Sequence, residues 1–317
     1  MMKAETLGCC SVQFQCYEIQ EMTYRSAAAL EMAVKEAAKA SPQDTGRAIA
    51  GFYFHRLLCR VFAGGNGSFV LKGGRSVLAR TLDGRATRDI DLLSTRDNLD
   101  DALASLRKLA QQDLGDFVVF EYAGAEPIKP DDEYRNGLSV RFVPMLGVKR
   151  MQAISIDLVV DEVPLEGAEL VSPADRIDVK GLETCDYLVY PAGAALADKL
   201  CALAERHNGR ASSRVKGLVD IVVYALTCDV DGADLQARLR CEIAVRKIGP
   251  IESFALPEEW AGAQARQHAK LCAQTGIPAH LHDIGEASKL AAELLDPALK
   301  RRCDGLRWNH ESLSWES

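Results

Sequence analysis

Arg88-Asp89-Ile90-Asp91-Leu92-Leu93 is the stretch from which the fold can be read. Polar and apolar residues alternate through Leu92, which predicts a β-strand. Side chains two apart on a strand share a face, so Asp89 and Asp91 point one way while Ile90 and Leu92 point into a core. Two adjacent carboxylates repel each other unless a cation sits between them. Magnesium suits such a pair, because it is held by one or two carboxylates together with substrate phosphates. A D-x-D pair alone is also what an ordinary solvated strand edge looks like, so its neighbours must decide.

Upstream, Ser68 to Lys72 (SFVLK) reads as a short buried strand, Gly73-Gly74 turns it, and residues 75–82 read as a helix. Asp83-Gly84 then turns the chain into the D-x-D strand. Glycines let backbone N–H groups approach phosphate oxygens, and a following helix start favours anions. Gly73, Gly74, Arg75 and Ser76 are therefore candidate nucleotide-binding residues, although a Gly-Gly pair is equally the mark of a plain turn. Downstream, Leu99 to Ala110 is helical and residues 116–124, 137–145 and 151–161 read as strands. In the last of these, Ile154, Ile156 and Leu158 share one face and Asp157 lies on the other. A carboxylate in a mostly apolar strand needs a partner, such as Arg141, or a metal. If this strand lies beside the D-x-D strand, three carboxylates converge, enough for a two-metal site for in-line phosphoryl displacement.

Further along, Asp198-Lys199-Leu200 precedes Arg210 to Asp220 (RASSRVKGLVD). Leu196, Leu200 and Leu203 form a helical stripe flanked by Lys199. Ser212 or Ser213 is a candidate cap for a second helix with Val215, Leu218, Val219 and Val222 on its apolar face. One reading has Lys199, Arg214 and Lys216 binding a triphosphate, with Asp220 as base. The other makes Lys216 and Asp220 a surface ion pair worth about 0.3–0.5 kcal/mol. His280 and His282 have no third metal ligand nearby and read as surface residues, and Trp260, Trp308 and Trp315 as core or interface.

The predicted organisation is α+β: a helical segment over 1–62, a core of strands and helices over 63–162, a connector rich in Pro, Gly and acidic residues over 163–193, and a helical region over 194–317 with helices at 194–206, 213–227 and 233–247. Residues 1–20 carry no clear period; disorder and a mis-assigned start both fit. The composition is that of a folded protein, 48% hydrophobic and 26% charged, with aromatics at only 6%. A net charge of −7 excludes nucleic-acid binding by bulk charge, so any RNA contact needs a local patch. Candidates are Arg75, Arg80, Arg85, Arg88, Arg206, Arg210 and Arg214. No run of about 18 apolar residues predicts a membrane span, and no signal peptide is read. The ten cysteines form no C-x-x-C pair, which argues for reduced thiols in a cytoplasm over disulfides or zinc.

These residues together resemble the AbiEii/AbiGii toxin family of nucleotidyltransferases, within the DNA polymerase β-like superfamily. The likeness runs through LLCRVFAGGNGSFVLKGG, ATRDIDLL, LDDALASLRKLAQQDLGDF, ISIDLV and ADKLCALAERHNGRASSRVKGLVDIVVYAL, over roughly residues 47–300. It implies a small mixed sheet with helices, an NTP donor, Mg²⁺, a separately encoded antitoxin, and for some members transfer to the 3′ end of tRNA. By position it makes Gly73 and Gly74 the phosphate-loop glycines and Asp89, Asp91 and Asp157 the metal carboxylates. Lys199, Arg214, Lys216 and Asp220 fall in the later nucleotide-binding and catalytic motif. Two positions depart from the family pattern. Arg75 follows the glycine pair where Ser or Thr is usual, and Gly217 follows Lys216 where Asp is usual.

Overall fold

The computed structural model describes residues 24–96, 98–128, 135–161, 166–207, 209–260 and 262–317. The readings made for residues 1–20, with Cys9, Cys10 and Cys16, lie outside them. Two helices come first, α1 (Ala27–Ala40) and α2 (Thr45–Phe62). Asp44 caps α2 by accepting the Arg47 N–H at 2.9 Å, which satisfies one of the amide donors left free at a helix start. The chain then forms β1 (Phe69–Lys72), α3 (Gly73–Arg80), β2 (Asp89–Ser94), α4 (Leu99–Ala110), β3 (Val118–Pro127), β4 (Arg135–Leu146), β5 (Lys149–Arg150) and β6 (Ile154–Asp161). Helix α4 shows how local sequence specifies an element. Asn98 caps it, Asp100 and Asp101 sit in its first turn and Arg107 and Lys108 in its last, each sign placed to suit the helix dipole. Ala102, Leu106 and Ala110 form its buried stripe.

The main sheet runs β3-β4-β6-β2-β1-β8-β7, with β5 paired to β4. Its last two strands are β7 (Glu169–Val171) and β8 (Tyr187–Val189). The stretch read as a connector thus contributes two strands to the sheet, β8 pairing parallel to β1. Strands of three residues have too little alternation to stand out from a Pro- and Gly-rich background. Pairing is parallel between β2 and β6 and antiparallel between β1 and β2, so the sheet is mixed.

Beyond it come α5 (Ala192–Ala204), a short hairpin of β9 (Arg206–His207) and β10 (Arg210–Ala211), α6 (Val215–Thr227), β11 (Val230–Asp231) and α7 (Gly232–Arg246). Helices α8 (Ala263–Cys272) and α9 (Ile284–Leu299) and strands β12 (Arg307–Asn309) and β13 (Ser314–Glu316) complete the chain. The largely helical C-terminal region therefore also carries a small sheet, β11-β12-β13. Neither Ser212 nor Ser213 is the N-cap of α6. That position is Arg214, without a side-chain cap, and Ser212 instead accepts the Arg214 N–H at 3.3 Å. No helix of the described residues is long and apolar enough to cross a membrane.

The two faces of the sheet have different partners. Ile90, Leu92, Ile156 and Leu158 are fully buried with Leu57 and Leu58 of α2 and Leu106 of α4. Each such side chain contributes about 1.5–3 kcal/mol by leaving water. On the opposite face, Val70 and Leu93 pack with Leu196 and Leu200 of α5 and Leu218 and Val222 of α6. Asp89 and Asp91 alternate with the first set, so they share the second face, where α5 and α6 cover part of the sheet.

Candidate active site

Strand register assembles the carboxylates. Asp91 is the direct partner of Asp157 across the parallel β2/β6 pair, and Asp89 stands opposite Ser155. All three carboxylates therefore lie on one face, within adjacent strands about 4.8 Å apart. Arg141 does not neutralise Asp157. It is opposite Ser155, its ion-pair partner among the described residues is Glu126 at 3.9 Å, and the cross-strand partner of Asp157 is Ser139. The charges act on one another. Burial, then Asp157 and Asp89, pushes the Asp91 carboxyl up to about 6, against the pull of Lys199 and Lys72. Burial and the Asp89 charge likewise raise Asp157, opposed by a hydrogen bond from Ser139.

Gly73 lies against this group. Its φ is +66°, and a Cβ there would fall 1.8 Å from Asp91 Oδ2. Only glycine lets α3 start so close to the carboxylate. Gly74 is also tight, a Cβ meeting Thr87 at 3.1 Å and Arg85 Nη2 at 3.3 Å. The start of α3 therefore presents backbone N–H groups beside the acidic cluster, a combination suited to an anion that brings its own cation.

The other predicted residues divide. Lys199 Nζ pairs with Asp220 Oδ2 at 2.7 Å, and Arg85 Nη2 donates to the same oxygen at 3.0 Å. Arg85 Nε approaches Asp220 Oδ1 at 2.9 Å as an ion pair without a hydrogen bond. Burial opposes the Asp220 charge, but Lys199 and Arg85 more than offset it and hold its pKa below the usual range. The Lys199 pKa is raised: burial works against its charge, and Asp220, Tyr224 and Asp198 together outweigh burial. Lys216 is exposed and, among the described residues, makes no ion pair with Asp220. Arg75 is buried against Asp175 at 3.1 Å and over the Phe54 ring at 4.8 Å, so its charge is committed there. Ser76 donates to the Gly73 carbonyl at 2.7 Å and lies 3.3 Å from the Tyr224 hydroxyl.

The basic residues considered for RNA are largely neutralised. Arg80 pairs with Glu169, Arg206 with Glu259, and Arg75 and Arg85 with the acids already named. Sequence reasoning gave no site role to Lys72, which stands opposite Asp91 in the β1/β2 register and lies 4.2 Å from the Tyr190 ring centre. A lone lysine ending an apolar strand was the available signal.

Among the described residues, no three His, Cys, Asp or Glu side chains close around a point tightly enough to hold an ion alone. The donor chemistry nonetheless fits magnesium. Hard oxygens are present, burial and the Asp157 and Asp89 charges that raise the Asp91 pKa both disfavour an anion that a cation would stabilise, and magnesium draws its remaining ligands from water and phosphate.

The sequence matches the family described as Nucleotidyl transferase AbiEii toxin, Type IV TA system, over residues 56–301. The chain belongs to this family. It is a nucleotidyltransferase of the toxin-antitoxin type. A solved structure similar to it is MenT4, a nucleotidyltransferase toxin from Mycobacterium tuberculosis H37Rv. That match has 14% identity and a TM-score of 0.53, covering 86% of this chain and 89% of that one. JHP933 from Helicobacter pylori matches at 14% identity and a TM-score of 0.39, covering 80% of this chain and 94% of that one. No curated protein matches the sequence. The AbiEii assignment fits the α+β fold and the mixed sheet on which the carboxylates stand.

Proposed function

We propose that this AbiEii-family enzyme uses magnesium to transfer a nucleoside monophosphate from an NTP to the 3′ end of tRNA, acting in the cytoplasm under control of a cognate antitoxin. The observation that carries the reading is the β2/β6 register, which sets Asp91 beside Asp157 with Asp89 on the same face. Asp89, Asp91 and Asp157 would hold the metal, which when bound supplies Lewis-acid stabilisation of charge on the reacting phosphate. Backbone N–H groups at Gly73 and Gly74 bind triphosphate oxygens. Lys199, beside Asp91, offsets charge on the transferring phosphoryl group.

In the reaction an acceptor hydroxyl oxygen forms a bond to the α-phosphorus, the α–β phosphoanhydride bond breaks, and pyrophosphate leaves. In this reading Asp157 takes the hydroxyl proton. Asp220 is held as an anion by two cations and serves to position Lys199.

The test is incubation of purified protein with each labelled NTP, Mg²⁺ and total RNA, with a chelator control. Label should enter an RNA band of tRNA size and be lost with chelator. Label on protein or on a small molecule instead would overturn the acceptor. Chelator-resistant label would overturn the metal.

A further inference from the structure

A cavity of about 570 Å³ opens between α2, α3 and the segments leading into β2 and β6. Its size falls in the range of about 300–1,000 Å³ usual for ligand sites. None of the three carboxylates lines it. Its lining includes Arg47, Arg75, Arg88 and Phe54, and among the described residues its one acid is Asp175. Asp175 pairs with Arg75, so the cavity keeps an excess of positive charge. Arg88 is exposed, has no ion-pair partner among the described residues, and immediately precedes Asp89. The cavity thus adjoins the strand that carries the carboxylates.

A second observation concerns Gly51, which also lines the cavity. It lies in the middle of α2, and a Cβ added there meets nothing within 4 Å. Packing does not require glycine, and a helix-interior glycine costs about 0.5–1 kcal/mol relative to alanine. What glycine does preserve is open space along this wall of the cavity, which Ala50 and Ala153 also line.

We infer that this cavity receives one unstacked nucleotide of the acceptor strand. Its base lies along the Gly51 wall near Phe54, and its phosphate faces Arg88 and Arg47. Proteins that read single-stranded RNA splay bases into pockets and combine aromatic and guanidinium groups with backbone-tracking charge. An acidic peptide would use the arginines but not the open apolar wall. The inference rests on the proposed nucleic-acid acceptor and adds where that acceptor is gripped.

The test is fluorescence anisotropy with a short labelled single-stranded oligoribonucleotide, without NTP or metal, so that it does not depend on turnover. Gly51→Phe projects a ring into the space beside this wall, Gly51→Ala leaves it open, and Arg88→Gln removes the Arg88 charge. Gly51→Phe should weaken RNA binding by about tenfold or more, since its ring occupies the space assigned to the base. Gly51→Ala should bind like wild type. Arg88→Gln should weaken binding and reduce the slope of log affinity against log salt by about 1. NTP affinity should be unchanged in all three.

Phenylalanine is a better helix former than glycine. If Gly51→Phe nevertheless melts early, Arg88→Gln at an exposed position carries the test. Wild-type RNA affinity in Gly51→Phe would overturn the inference. So would joint loss of RNA and NTP affinity, which would make the cavity a donor site, or binding of an acidic peptide but not RNA by the wild type. Failure of the functional proposal reads differently: RNA binds in this cavity but receives no label.

Discussion

Replacing Asp91 by Asn separates what the acidic cluster does for catalysis from what it does to stability. Burial and the Asp157 and Asp89 charges move the Asp91 carboxyl from its ordinary 3.8 to about 6. A raised carboxylate pKa means that the folded state holds the proton more tightly than the unfolded chain. The Asp91 contribution to stability is therefore greatest below about pH 4 and is lost as pH rises toward 6. Above that, the ionised form is disfavoured in the folded state by about 3 kcal/mol, at 1.36 kcal/mol per pH unit. Asp91 keeps part of its surface in water, so screening trims this to about 1–3 kcal/mol.

Asn keeps the shape of the protonated acid and never ionises. In metal-free buffer at neutral pH, Asp91→Asn should melt higher than wild type by about 2–6 °C, taking about 2 °C per kcal/mol for a large domain. Near pH 4 the gain should shrink to under about 1 kcal/mol, because the wild-type acid is then mostly protonated in the folded state. Magnesium with NTP should stabilise the wild type and not the variant. Transfer should fall by about a hundredfold or more, since a metal ligand stabilises the transition state by several kcal/mol. Calorimetry across pH and a labelled-NTP assay provide both readouts. A variant that melts lower than wild type at neutral pH would refute the electrostatic reasoning. Retention of more than about a tenth of the activity would refute the metal assignment, that loss being only about 1.4 kcal/mol.

Gly73→Ala should lower the melting temperature and abolish transfer, because its Cβ at positive φ would displace the Asp91 carboxylate; a fully active alanine variant would contradict this. Asp220→Ala leaves Lys199 and Arg85 as facing buried cations and should cost about 3–5 kcal/mol in chemical denaturation. Lys199→Ala leaves Arg85 on Asp220, so its stability loss should be smaller, while the rate falls by about a hundredfold or more; equal stability losses would argue against the three-residue arrangement. Asp116→Ala removes the shared partner of Arg56 and Arg60, whose side chains are 1% and 0% exposed. It should destabilise by about 3–5 kcal/mol by urea melt with no specific effect on NTP affinity.

The carboxylates were legible because their strands alternate: Ile90 and Leu92, and Ile156 and Leu158, had to face inward, which turned the aspartates outward together. Relative register, which places Asp91 against Asp157, follows from tertiary pairing and could only be supposed. The direction of α3 was equally hidden. Arg75 follows the glycines, yet the helix turns it toward Asp175, a hundred residues further along the chain. The i,i+4 rule put Lys216 and Asp220 on one face. The long Lys216 side chain sits in the first turn of α6 and reaches water, while Asp220, one turn deeper, meets Lys199 and Arg85. Arg85 stood in the sequence only as a candidate RNA contact, because its partner is 135 residues away. Charge pairs between distant segments leave no periodicity for a sequence to display.

The glycine at 217, where the family usually has aspartate, bears on the choice of base. A Cβ at Gly217 would meet Leu203 of α5 at 3.5 Å, so the position faces an aliphatic side chain. Asp220 is no better placed to accept a proton. Lys199 and Arg85 hold it ionised well into the acid range, and a group stabilised as an anion gains little by protonation. The environment works the other way at Asp157, where burial and Asp89 raise the pKa, a penalty on the anion that a bound cation would relieve. In the proposed division of labour Asp220, among cations, fixes Lys199, while Asp157, among carboxylates, is left for the metal and the acceptor proton. The departure at 217 faces Leu203 of α5, not the carboxylates of β2 and β6.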